Sequence, residues 1–191
     1  MELKSEIKGF KIVLKHLVPT ISLAQELTDI IARNKEHLTP FEDVRLTEFQ
    51  SVEESFKTLL SYEKEFTNSR RFSYGLYKES KLIGIIEIKG MRESIKQGML
   101  SFFVDHEHTR QGYATESIQL VEREFFGNIE WNRLIWVAIS NNNASCQLAQ
   151  KLGYTKEGLL RDAYVNHGQY VDFSYFSKLK SEWESQNKLK A

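Results

Sequence analysis

Residues 109–118, TRQGYATESI, are the pivot of this sequence. One glycine stands among Thr109, Arg110 and Gln111, directly ahead of a stretch with helical spacing. Three explanations compete for Gly112: a tight turn, an ordinary helix start, or a loop whose bare backbone approaches a phosphate. The third has a physical basis. First-turn N–H groups of a helix lack intrahelical acceptors, and the macrodipole places about half a positive charge there. Gly112 removes a Cβ where an anion would approach, and Arg110 adds a charge-assisted donor. The stretch is not a P-loop, because no Gly-Lys-Ser/Thr follows, and it lacks the G-x-G-x-x-G of a dinucleotide fold.

On either side of this loop the hydrophobic period changes. Upstream, MLSFFV (residues 99–104) reads as a strand. Downstream, Ala114, Ile118, Val121 and Phe125 fall at i, i+4, i+7 and i+11, the stripe of an amphipathic helix. LIWVAI (134–139) is an apolar run short enough for a strand covered on both faces. NNNASCQLAQKLGY (141–154) then offers an Asn cap, Leu148 and Leu152 one turn apart, and Gly153 to stop the helix. Near the start, residues 10–17 read as a first strand. Leu23, Leu27, Ile30 and Ile31 mark one helix, and Phe49, Val52, Phe56, Leu59 and Leu60 a second, with NKEHLTPFED (34–43) as a loop between them. FSYGLYK and LIGIIEI form a hairpin, and the tail closes in two strands. The class is α/β, with an antiparallel front and a crossover through the glycine-loop helix.

Composition bounds the function. With 191 residues and no Pro/Gly/Ser linker, the chain suits a single domain over residues 1–191. Lys+Arg and Asp+Glu each number 26, so no global field gathers nucleic acid or an anionic membrane. No apolar run approaches the ~20 residues of a membrane span, and the start has no signal-peptide core. A single cysteine, Cys146, excludes an internal disulfide and offers no metal cluster, so a cytoplasmic setting without a bound metal is expected.

The ends of the strands at 99–104 and 134–139 should neighbour one another. Where adjacent strands diverge, unpaired backbone groups can bind an amide-bearing ligand as an added strand would. A phosphate cradle beside such a gap suits a pantetheine carrying a pyrophosphate, which is coenzyme A.

Three segments, VDHEHTRQGYATESI, NNNASCQLAQKLGYTKEG and LLRDAYVNHGQYVDFSYFSKLKSEW, resemble the GNAT superfamily of N-acetyltransferases, most closely the Rim branch that acetylates ribosomal-protein N-termini. The likeness is strongest over residues 102–183. It implies a mixed, largely antiparallel sheet of six to seven strands with about four helices, and acetyl-CoA as cosubstrate. The family's phosphate loop reads Gln/Arg-x-x-Gly-x-Gly/Ala. Gly112 and Ala114 match its last two defined positions, whereas Thr109 replaces the usual Gln or Arg, and Arg110 stands where the branch often has glycine. By resemblance, backbone groups of Arg110, Gln111, Gly112, Tyr113, Ala114 and Thr115 hold the phosphates, while Val104 and Asn142 contact the pantetheine.

The chemistry is direct transfer of acetyl from thioester to amine. Many members protonate the departing thiolate with a Tyr at the position held here by Ala149, so Ser145 is the substitute donor. The usual carboxylate bases are also missing: Met99 and Tyr164 occupy their places. Glu87 is the candidate base, with His106 as a second option, and Cys146 reads as packing rather than as a nucleophile. Asn34, His37, Tyr164 and Asp172 are candidate acceptor contacts. A lysine ε-amine is neutral in only about one molecule in 2,500 at pH 7, an α-amine of pKa ~8.0 in roughly one in ten. A site without an evident base therefore favours the N-terminal α-amine of a protein or peptide. Acetylation of a small amine, or acyl-CoA binding without catalysis, are the alternatives. Monomer and homodimer are both open.

Overall fold

A computed structural model describes residues 4–41 and 44–188. The chain opens with two short strands, β1 (Glu6–Lys8) and β2 (Val13–His16), followed by helix α1 (Ile21–Arg33). Two single-turn helices, α2 (Lys35–Leu38) and α3 (Arg45–Glu48), lead into the long α4 (Val52–Thr67). Three strands follow: β3 (Phe72–Lys78), β4 (Lys81–Arg92) and β5 (Gln97–Val104). Helix α5 (Tyr113–Glu122) runs into a π-helical stretch over Arg123–Asn128. Strand β6 (Arg133–Ile139), helix α6 (Asn143–Lys151), strands β7 (Thr155–Asn166) and β8 (Gln169–Leu179), and helix α7 (Lys180–Lys188) complete the fold.

The strands form one sheet in the order β1-β2-β3-β4-β5-β6-β8-β7. Every pairing is antiparallel except β5–β6, which is parallel and crosses over through α5. That parallel ladder is short. It runs from Gln97–Arg133 to Leu100–Trp136 and stops. Beyond this point β5 continues to Val104 paired only with β4, and β6 continues to Ile139 paired only with β8. The two strands part, and the gap is the main functional feature of the sheet.

Each face carries its own apolar layer. On one side Ile86, Ile88, Leu100, Trp136 and Phe176 pack beneath α5 and α6. On the other, Leu17, Ile85 and Phe103 pack beneath α1 and α4, through Leu27, Ile30 and Leu59. Covered on both sides, β4 is buried almost without a break from Leu82 to Ile88, which is why its sequence reads as a run rather than an alternation. The α1 start is capped by Thr20, whose hydroxyl accepts from the Leu23 N–H, and α4 by Ser51 in the same way with Glu54.

The sheet has eight strands, one beyond the expected range, and the extra one is β1. Its sequence, EIK, buries a single side chain, Ile7, and gives no periodic signal. The first expected strand, residues 10–17, shrinks to β2, and Phe10 projects 97% exposed from the turn before it. The expected loop at 34–43 contains α2 and a 3-10 turn at Thr39–Phe41, while Glu42 and Asp43 lie outside the described residues. On α4, Leu60 faces solvent, and Ser55 and Tyr62 are buried with Leu59. Val52 and Phe56 pack against the same cluster as Leu59, and Phe49 joins it from the end of α3, ahead of the helix.

Candidate active site

The loop between β5 and α5 has the geometry of an anion cradle. Gly112 takes φ +88 as the residue preceding α5, a left-handed conformation that an L side chain resists. Among the described residues no side chain caps this helix; its first hydrogen bond is Glu116 N–H to the Gly112 carbonyl, so the first-turn amides of Tyr113, Ala114 and Thr115 have no acceptor among those residues. Arg110 also has positive φ, at +59. That explains why glycine suits the corresponding place in the Rim branch, and its cost for Arg is of order 1 kcal/mol.

Two side chains absent from the sequence reading support this loop. Lys11 Nζ donates to the Gln111 carbonyl at 3.1 Å, which brings a cation to the cradle. Glu116 Oε1 accepts from the Phe10 and Lys11 N–H groups at 2.5 and 2.9 Å, fastening the β1–β2 turn to the first turn of α5. Neither was visible in the sequence, because about 100 residues separate the partners and no local period links them.

Past the cradle lies the gap between β5 and β6. Trp136, in the last β6 pair before the strands part, donates from Nε1 to Ser145 Oγ at 3.0 Å. Ser145 therefore sits beside the start of the gap, with its own hydroxyl hydrogen free to turn elsewhere. Asn142 acts as the cap of α6, its Oδ1 accepting from the Ser145 N–H at 3.1 Å. Cys146 is half-buried against the core, and Ala149 is the fully buried residue of α6. Val104 is buried at the free end of β5.

The end of β5 is held rigidly. Asp105 is fully buried and takes two hydrogen bonds from Arg33, at 3.0 and 2.8 Å, and one from Asn34 Nδ2 at 3.0 Å. Burial alone would raise its pKa, but the bonds from Arg33 and Asn34 and the Arg33 charge outweigh it and hold the carboxyl below its ordinary value. Asp105, Glu107 and His108 approach one another within 4.8 Å, though the Asp105 oxygens are already occupied by Arg33 and Asn34.

Two expectations need correction here. Asn34, expected to meet the acceptor, is buried: its amide group donates to the Ile30 carbonyl and Asp105, and its Oδ1 accepts from the His106 N–H at 2.8 Å. It positions the β5 terminus instead. Its polar side chain in an exposed-looking stretch gave no hint of burial. Glu87, expected to face the gap as a base, lies 2% exposed beneath α3 and α4. Its oxygens take bonds from Arg71 (2.8 Å), Ser73 (3.0 Å) and Arg45 (3.3 Å). Arg71 in turn pairs with Glu65 and stacks on Tyr62, 4.0 Å from the ring centroid. Burial pushes the Tyr62 hydroxyl far above its usual pKa, and the Glu87 charge adds to this. With two guanidinium groups already on it, Glu87 is the centre of a structural ion cluster.

The other acceptor candidates lie around the same face. Asn166 Nδ2 donates to the Pro40 carbonyl and His167 Nε2 meets that of Thr39, both at 2.9 Å, so the β7–β8 hairpin end reaches the α2 segment. The two stretches expected to receive the acceptor are thus in contact. Tyr164 stacks on Phe173 at 5.5 Å and is 39% exposed; Asp172 Oδ1 accepts from the Asp162 N–H; His37 is exposed on α2. His106 is half-exposed beside Asn34.

An open cavity of about 520 Å³ occupies the face of the sheet beneath α4, at the paired end of β5 and β6. Met99, Ile135 and Tyr175 line it. Met99 and Ile135 form the pair next to Leu100–Trp136, so the cavity abuts the point where the strands part. Tyr175 was not singled out in the sequence, where it reads as one aromatic in an alternating strand.

Comparison with known proteins gives the family and the fold. The sequence profile described as "Acetyltransferase (GNAT) domain" matches residues 18–155. A probable N-acetyltransferase of Bacillus subtilis, YjcK, is 23% identical over 181 residues, covering 93% of this chain and 99% of its own. Ribosomal-protein-S5-alanine acetyltransferase from Vibrio fischeri superposes with a TM-score of 0.85 at 21% identity, covering 94% of this chain and 99% of that one. Microcin C7 self immunity acetyltransferase MccE, solved with acetyl-CoA and AMP, superposes at 0.81 with 20% identity, covering 90% and 93%.

Proposed function

From the premise that the chain belongs to the GNAT acetyltransferase family, we propose that it moves the acetyl group of acetyl-CoA to the N-terminal α-amine of a protein or peptide, of the ribosomal-protein kind, in the cytoplasm. Several relatives with similar sequences are named for ribosomal-protein acetylation, among them ribosomal-protein-serine acetyltransferase of Escherichia coli. The observation that carries the reading is the alignment of three features: bare amides at 113–115, the parting of β5 from β6 after Leu100–Trp136, and Ser145 hydrogen-bonded at that point.

In this reading the pyrophosphate rests on the α5 amides with Lys11 and Arg110 nearby, and the pantetheine runs into the gap past Val104. The acceptor comes from the opposite face, its amine end flanked by Tyr164 and Asp172 at the open end of the gap, with His37 beyond them. The amine nitrogen attacks the thioester carbon, a C–N bond forms, and the C–S bond breaks. The excess amine proton leaves to water, and the Ser145 hydroxyl donates a hydrogen bond to the departing sulfur. Thiolate is a fair leaving group, with a thiol pKa near ~8.5, so one donor suffices. With Glu87 enclosed by arginines, no side-chain base is assigned, which favours an acceptor amine already partly neutral at pH 7.

The test compares two peptides of one sequence, one with a free N-terminus and one blocked but bearing lysine, read out by release of the free thiol. Acetylation of the free terminus at a rate at least about tenfold higher supports the proposal. Equal rates reject it, and thiol release only with small amines would assign the chemistry to a small-molecule acceptor.

A further inference from the structure

The cavity beside the parting strands carries a charge distribution that the overall neutrality of the chain conceals. Arg70, Arg71, Lys89 and Arg92 surround it, against one carboxylate, Glu65. Glu65 and Arg71 neutralise one another, and Arg71 also holds the buried Glu87. That leaves Arg70, Lys89 and Arg92, whose side chains have no hydrogen bond or ion pair among the described residues. They come from the turn after α4 and from the end of β4, where the ladder to β5 shifts register between Lys89 and Arg92. The Gln97 carboxamide and the Tyr175 hydroxyl, each without a side-chain partner among the described residues, complete its polar surface.

Three cations on one concavity, unpaired among the described residues, cost the fold some self-repulsion. A ligand of opposite charge relieves that repulsion. We propose that this cavity is a subsite selecting acceptor proteins with acidic residues shortly after the acetylated amine. The inference rests on the acetyl-transfer reading above, and it names the class of acceptor. Position supports it. Gln97 pairs with Arg92 and lies three residues before Leu100, where the strands begin to part. Three strand residues span about 10 Å, the length of three extended peptide residues. An acceptor amine at the gap therefore brings its third and fourth residues among Lys89, Arg92 and Arg70. The apolar floor of Met99 and Ile135 accommodates the side chain between.

The experiment uses the full chain, acetyl-CoA and three free-amine peptides that differ only at positions 3 and 4: two acidic, two neutral or two basic residues. The expected order of kcat/KM is acidic over neutral over basic. Acidic should exceed neutral by roughly tenfold, the difference residing in KM and shrinking as salt rises from about 50 to about 300 mM. The Lys89→Glu/Arg92→Glu double variant should reverse the order, while Lys64→Glu, on the exposed side of α4, should leave it unchanged. Equal kcat/KM for all three peptides, or a preference that survives the double variant, overturns the subsite while leaving peptide acetylation in place. Competition by AMP, with a phosphate-bearing small amine as the better acceptor, overturns the peptide occupant. Failure to acetylate any free-amine peptide refutes the acceptor reading itself, and the subsite proposal falls with it.

Discussion

The two sides of the parted strands are built on different principles. The side toward α5 is made of consecutive residues and works through backbone: a left-handed glycine, a helix start and a row of bare amides. The side toward α4 is gathered from α3, α4, β3, β4, β5, β6 and β8 and works through side chains, with Glu87 enclosed by Arg45 and Arg71 and a cationic cavity beside it. The first arrangement suits a ligand that never changes, because amide geometry is insensitive to side-chain drift. The second suits an acceptor that differs from one relative to another, because each side chain can be exchanged without moving the sheet.

Substitutions should separate the two. The largest effect is expected at the buried cluster. Glu87→Ala removes the buried carboxylate that Arg45 and Arg71 share and should lower stability by about 3–5 kcal/mol. Thermal or denaturant unfolding measures it. A loss under about 1 kcal/mol would mean the cluster is solvated rather than structural. Gly112→Val forces a β-branched residue into left-handed backbone and fills the phosphate approach. It should weaken acetyl-CoA binding about 100-fold by calorimetry, with the relative rates of different acceptors unchanged. Ser145→Ala should lower kcat by about tenfold to a few hundredfold at unaltered acetyl-CoA affinity, and wild-type kcat would remove Ser145 from the mechanism.

The smallest effect is a pH dependence where the two sides meet at the end of β5. Asp105 has a folded-state pKa below its unfolded value, so its contribution to stability is present above about pH 4 and is lost as pH falls through the lowered value. Removing Arg33, the main partner opposing burial, should raise that value. Arg33→Met is expected to unfold at higher pH than wild type, with about 1 kcal/mol lost at neutral pH, since Arg33 is itself one-third exposed. Circular dichroism between about pH 2 and 5 reads this; an unchanged acid midpoint would show that Asn34 and the Glu107 N–H hold the carboxylate without Arg33.

The same contrast explains what was legible in the sequence. The strand–glycine–helix unit, the buried β6 run and the Asn142 cap with the Gly153 stop are local patterns, and the structure has them where periodicity placed them. Gly153 takes φ +82, as a helix-terminating glycine does. The roles of Glu87 and Asn34 were not legible, because burial depends on partners far along the chain: Asn34 meets Asp105 71 residues away, and Glu87 meets Arg45 42 residues away. Lys11 and the cations around Met99 were hidden for the same reason, and the zero net charge masked a local excess. Strand β1 escaped because three residues with one buried side chain cannot display a period.

The most direct test of the whole account is to follow backbone amide signals during an acetyl-CoA titration. Binding should perturb the amides of residues 110–115 most strongly, with the Phe10–Lys11 turn bonded to them, followed by those of 101–104 and 137–142 on the two sides of the gap, and leave α4 and α7 nearly unchanged. No perturbation at millimolar acetyl-CoA, or one centred away from the α5 start, would contradict it.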